Sequence, residues 1–221
     1  MNQSSPSLQT ETEVIAAPPF EATRLHARYI APEFWRAYVA AGGSRDEAPS
    51  PHPIAYVDLT TDYRKSLRKS YKSLINWGKR NLVVGTGHID LMRAFHARVA
   101  GRETRPLASW FVQEDWIADG GGEILVGFLG HELVSAAMFI DGNDASIYWS
   151  GVYDRDKFDK PLAHYLIWLG LERAKERGMN KVILGEIPER GTVPEKEFTI
   201  GFFKAGFATH IIGNGGLQCL S

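Results

Sequence analysis

Cysteine is all but missing from this chain: Cys219, two residues from the end of 221, is the only one. A single thiol excludes an intrachain disulfide and a cysteine-rich zinc site, and it suits a reducing, cytoplasmic setting. The first twenty residues carry Glu11 and Glu13 and lack a cationic start followed by an apolar core, so they do not read as a secretory signal. Long hydrophobic runs are lacking too, and no segment has the length of a membrane span. Nor is there an excess of charge of one sign. With a net charge of -1 and a pI near 6.7, any preference for nucleic acid or anionic membranes has to be local. No His-x-x-x-His pair, paired-carboxylate pattern or P-loop occurs, so metal hydrolase and nucleoside-triphosphatase readings have no support and no metal is expected.

What is present is apolar bulk in a patterned order. Hydrophobic residues make up 44% of the sequence, enough for one large domain or one domain with an extension. Residues 1–19 are polar and read as a flexible tail. Residues 20–55 read as an N-terminal extension and linker, with a short helix over Pro32 to Ala41 and a stretch rich in Gly, Pro, Ser and charge after it. Residues 56–221 form the main domain, which carries a basic helix at its N-terminal side.

The domain is organised around residues 145–185. Ala145 to Tyr153 is dense in aromatic and β-branched types and predicts a strand. From Pro161 the apolar residues Leu162, Leu166 and Leu169 recur at helical spacing and stop at Gly178, and Lys181 to Leu184 then predicts a buried strand parallel to the first. This is a βαβ unit. Before it, hairpin signals at Gly130-His131 and Asp141-Gly142 divide residues 123–153 into a three-strand antiparallel meander. Helices are expected over 89–99, 107–118 and 198–206, strands over 54–59, 82–84 and 207–212. The fold class is α/β: a mixed sheet with an antiparallel meander, a central βαβ unit and flanking helices.

Ligands of open α/β sheets collect beyond the carboxyl ends of strands and at helix N-termini. Here that zone is Tyr153 to Lys160, with Glu186 nearby, and free amides at the helix start are expected to concentrate positive potential there. Glu186 is either a general base or amine-binding group, or an exposed loop carboxylate. Strand alternation puts Tyr148 and Tyr153 on opposite faces, so one alone can face a cleft, and Tyr153 is the nearer. His164 in the first helical turn is either a base or a space-filler. Tyr63 to Asn81 holds Arg64, Lys65, Arg68, Lys69, Lys72, Lys79 and Arg80 with no acid, and reads as one amphipathic basic helix. Its cationic face, with Arg68, Lys69 and Lys72, is either solvated surface or a phosphate-recognising face for RNA, a nucleotide-linked substrate or a lipid-linked one. Arg102, Arg105 and Gln113 make a polar cluster, serving surface salt bridges or a bound phosphate or carboxylate.

From Leu82 onward the order is strand, two helices, three-strand meander, helix, strand, helix, strand. That order, with residues 56–81, 95–113, 133–150 and the Phe203-Lys204-Ala205-Gly206-Phe207 ending, resembles the GNAT acyltransferase fold in its FemAB-like branch, over roughly three quarters of the chain. The resemblance implies an acyl- or aminoacyltransferase that modifies an amino group of a sugar nucleotide or of a lipid-linked, cell-envelope glycan precursor. A noncatalytic binding module on the same fold is the alternative. It implies acyl-CoA or aminoacyl-tRNA as donor, with tRNA as a partner and peripheral membrane contact as an option. It also implies that Lys204 touches substrate phosphate or the transferred group. Acetyl-CoA-using relatives carry a glycine-rich loop before the central helix. Here that place reads Asp156 to Ala163 without glycine, where Lys157 and Lys160 offer point charges instead. The chain is shorter than the paired GNAT domains that tRNA-dependent members carry.

Overall fold

The computed structural model describes residues 32–43, 52–213 and 216–219. The tail expected over 1–19 lies outside these residues. In chain order the elements begin with α1 (Pro32–Ala40), β1 (Ile54–Asp58), α2 (Tyr71–Asn81), β2 (Leu82–Thr86), α3 (Ile89–Ala100) and α4 (Leu107–Ala118). The meander follows as β3 (Gly122–Leu129), β4 (Glu132–Asp141) and β5 (Ala145–Tyr153). Next come α5 (Leu162–Glu176), β6 (Lys181–Glu186), α6 (Glu195–Ala205), β7 (His210–Gly213) and β8 (Gly216–Cys219). The strands form one eight-stranded sheet in the order β2-β3-β4-β5-β6-β1-β7-β8. Every pairing is antiparallel except β5 with β6, the pair that the crossover through α5 joins.

Both faces of the sheet are covered, which is why β4 is buried along nearly its whole length. On one face α2 and α5 pack over Val57, Leu125, Val134, Ala137 and Phe139. On the other, α1, α3 and α4 cover Ile124, Val126, Ala136, Met138 and Ile147 with Phe34, Met92, Phe95 and Trp110. Each such large apolar side chain, once fully buried, contributes about 1.5–3 kcal/mol. The helix read from sequence as part of an extension therefore places Phe34 and Tyr38 in the second core, and Ile54 stands inside the sheet.

Two elements differ from expectation. The basic helix does not start at Tyr63: residues 63–70 are turns and α2 begins at Tyr71. The reason is tertiary. The Arg68 N–H donates to Gly206 O (2.9 Å), and Tyr63 and Leu67 are buried in the first core, which holds this segment out of a helical ladder. The β8 strand had no sequence signal; it extends the sheet by pairing with β7.

Candidate active site

The parallel pair decides where a cleft forms. β5 and β6 are in register only from Ala145↔Lys181 to Ile147↔Ile183. Beyond that point β5 follows β4 to Tyr153, while β6 follows β1 to Glu186, and the two strands part. The gap opens into a cleft of about 1020 Å³. Residues 148–153 of β5, His96 and Val99 of α3, Ala163 of α5 and one side of α6 form its walls.

Along β5 the alternation of faces breaks at Trp149. Met138 pairs with Ser150 and Phe139 with Tyr148, so Trp149 is the extra residue of a β-bulge. Tyr148 and Tyr153 consequently pack on the same face, with Trp149 and Val152 on the other. This corrects the expectation of opposite faces: both tyrosines line the cleft, and their hydroxyls are 2.7 Å apart. Gly151 makes the pair possible, because a β-carbon there would run into the Tyr148 hydroxyl and stand 2.9 Å from that of Tyr153. Burial pushes Tyr148 up to about 12 and Tyr153 well above the ordinary phenol range, so both are protonated at neutral pH. A lone glycine inside a strand pattern was the available signal for the bulge.

Lys204 of α6 lines the same cleft. Burial lowers its pKa, and the charge of Glu186 works in the opposite direction. Glu186 itself is not among the lining residues. His96 is: its Nδ1 lies 3.1 Å from Thr104 Oγ1, and burial, then the charge of Arg105, lowers its pKa, which keeps the imidazole neutral at pH 7. At the mouth stand Arg102 from the α3–α4 loop, Arg155 after β5 and Lys196 of α6, none ion-paired among the described residues. Arg155, Lys196 and His96 carried no sequence signal, since topology alone brings them together. Phe158 and Ile200 add exposed apolar surface to the rim.

The remaining candidates lie elsewhere. Lys157 is closed on Glu132 (2.8 Å) and Asp154 (3.0 Å), and Lys160 on Asp159 (2.7 Å); neither lines the cleft. The amides expected to be free are largely engaged: those of Asp156, Lys157, Phe158, Lys160, Leu162 and His164 donate to local oxygens. A pyrophosphate cradle is not built in this turn. Arg68 lies 3.9 Å from the Phe202 ring centroid and donates to Phe202 O (2.9 Å), so it fastens the 63–70 segment to α6. Lys69 and Lys72 are exposed and outside the cleft lining. Of the polar cluster, Arg102 reaches the cleft, whereas Arg105 and Gln113 bond each other beneath it. His164 sits edge-on to Tyr71 at 4.6 Å, and burial drops its pKa to about 4. Among the described residues no group of three or more His, Cys, Asp or Glu is assembled to hold a metal ion, and no helix is long and apolar enough to cross a membrane.

No protein-family model and no curated protein matches the sequence. Solved structures do. L-PGS from Bacillus licheniformis superposes with a TM-score of 0.46 at 15% identity, covering 65% of this chain and 47% of that one. A tandem GNAT protein from the clavulanic acid biosynthesis pathway gives 0.45 at 11% identity, over 71% of this chain and 49% of that one. FemX gives 0.58 at 12% identity over 72% of this chain, which spans 59% of FemX. Meander, single parallel pair, parting strands and bulge together with that superposition give the conclusion: this chain has a GNAT-like fold, similar to that of FemX.

Proposed function

We propose that the protein is an acyl- or aminoacyltransferase that moves an acyl group to an amine on a phosphate-bearing acceptor, a sugar nucleotide or a cell-envelope glycan precursor. The observation that carries this reading is the gap between β5 and β6, with the tyrosine pair and Lys204 on its walls and three cations at its mouth that have no ion-pair partner among the described residues. Arg102, Arg155 and Lys196 come from three separate elements, so their convergence is a property of the site and not of one charged helix face. Together they attract phosphate.

Transfer is direct, with no covalent enzyme intermediate. The amine nitrogen attacks the acyl carbonyl carbon, the new C–N bond forms, and the bond to the leaving thiolate or ribose oxygen breaks. Neutral His96 takes the proton that the amine loses and returns it to the leaving thiolate or ribose oxygen, so charge balances and the imidazole ends neutral. The tyrosine pair and Lys204 donate toward the carbonyl oxygen as negative charge develops on it. Acyl-CoA and aminoacyl-tRNA are the donor classes to be tried; closed amides before α5 disfavour binding of CoA in the usual pyrophosphate turn.

Mass spectrometry tests the reading: amino-sugar nucleotides and glycan precursors are incubated with the protein and a panel of CoA thioesters and charged tRNAs. An acyl-sized mass increase on an acceptor is expected. Binding of acceptors with no mass increase from any donor would favour a noncatalytic module.

A further inference from the structure

The bulge at Trp149 is gripped from behind the sheet. Trp149 Nε1 donates to Gln113 Oε1 at 3.1 Å, and Arg105 donates to the same oxygen at 3.3 Å and to Ser150 Oγ at 3.1 Å. Gln113 Nε2 in turn donates to Ser109 O at 2.6 Å, which ties the cluster to α4. Phe34 and Tyr38 meet the Trp149 ring edge-on at 5.6 and 5.0 Å. Gln113 is fully buried and Ser150 nearly so, and a hydrogen bond lost there is not replaced by water. Both residues at the bulge are therefore fixed by one buried amide and one guanidinium on the face opposite the tyrosines.

We propose that Tyr148 and Tyr153 position one another, and that the Arg105–Gln113 cluster holds the bulge that brings the two phenols together as one hydrogen-bond donor to the transferred acyl oxygen. The proton count supports it. Whichever phenol donates within the pair, the other keeps its own O–H, and neither hydroxyl has a further partner among the described residues. One donor is thus left for the cleft, strengthened by the bond it accepts and held against rotation. Such a fixed dipole stabilises developing oxyanion charge without reorganising during the reaction. Had the strand alternated regularly, one of the phenols would face α3 and the pair would not exist. The inference rests on the transfer reading above.

Its test has an arm that needs no substrate. Tyrosines labelled with carbon-13 at the oxygen-bearing ring carbon report each phenol's hydrogen bonding by NMR at neutral pH. Tyr148→Phe should shift the Tyr153 resonance and Tyr153→Phe that of Tyr148, the sign that the two phenols are coupled. Gln113→Met, similar in length but without the hydrogen bonds, should uncouple the two from the far face; Gln113→Glu, which keeps the acceptor oxygen, should restore the coupling. Unchanged Tyr148 and Tyr153 resonances in Gln113→Met, or a Tyr153 resonance indifferent to loss of Tyr148, would overturn the proposal. With whichever donor and acceptor give a mass increase, Tyr148→Phe and Tyr153→Phe should each lower kcat by about tenfold or more with KM within about twofold, and the double variant should be no slower than the slower single. Losses that multiply in the double variant would mean that the phenols act separately. Absence of turnover with every donor would count against the transfer reading alone, since the NMR arm still decides the pairing.

Discussion

Lys204 Nζ occupies the space that a side chain at position 185 would need: a β-carbon on Gly185 would stand 3.0 Å from it, on a backbone with φ at 99°. Glycine at this position lets the ammonium approach the end of β6. Gly185→Ala is expected to destabilise by about 1–2 kcal/mol through the left-handed backbone alone. The same change made in a Lys204→Ala background should cost less, because the crowding is gone while the strain stays. Urea denaturation of the single and double variants measures the difference, and equal losses in both would show that the ammonium is not displaced.

Removing the Lys204 charge should impair turnover and leave folding intact. Lys204→Met is expected to reduce kcat more than tenfold, about 1.4 kcal/mol of transition-state stabilisation. Burial already lowers the pKa of Lys204 and Glu186 raises it, so Glu186→Gln should lower it further. If the ammonium form is the active one, the alkaline limb of the rate profile moves to lower pH in Glu186→Gln. A limb that stays in place would separate Glu186 from Lys204.

Charge at the mouth should act on binding more than on chemistry. Replacing Arg102, Arg155 and Lys196 together with Gln should weaken inhibition by inorganic pyrophosphate and flatten its salt dependence. The exposed Lys69 and Lys72, changed in the same way, should have little effect. Equal effects from the two sets would return the phosphate site to the basic segment.

His164 provides a pH-dependent stability. Its folded pKa of about 4 lies below the ordinary 6.5, so between these values the unfolded chain binds more protons. Stability should therefore fall as pH drops from 6.5 toward 4 and level off below, by on the order of 2 kcal/mol after allowing for partial solvent screening. His164→Phe should remove that component from a denaturation series run across this window. An unchanged pH slope would assign the loss to other groups.

The far end of the sheet is held by charge. Arg177 pairs with Asp141 and Glu123, both nearly fully buried, and Arg173 adds a 2.9 Å contact to Glu123. Arg177→Leu leaves two buried carboxylates short of a partner and is expected to cost about 3–5 kcal/mol. Thermal unfolding would show this as a large drop in Tm, without a change in KM if the variant is assayed while folded.

Periodicity in the sequence was sufficient for the element order from Leu82 to Thr209, because helical and strand spacing of apolar residues is a local property that survives without knowing the neighbours. The hairpin turns at Gly130 and Gly142, the crossover helix and the parallel strand after it were all legible in this way. Other features depended on contacts distant in sequence. Arg68 leaves the helix because Gly206 O accepts its amide, and Trp149 leaves the strand alternation while Gln113, thirty-six positions away, accepts from its indole. Lysines 157 and 160 looked available until carboxylates from their own turn and from Glu132 closed on them. The cleft itself was decided by tertiary structure, since it exists only because β5 and β6 follow different partners after three paired residues, and no local pattern records which partner a strand will follow.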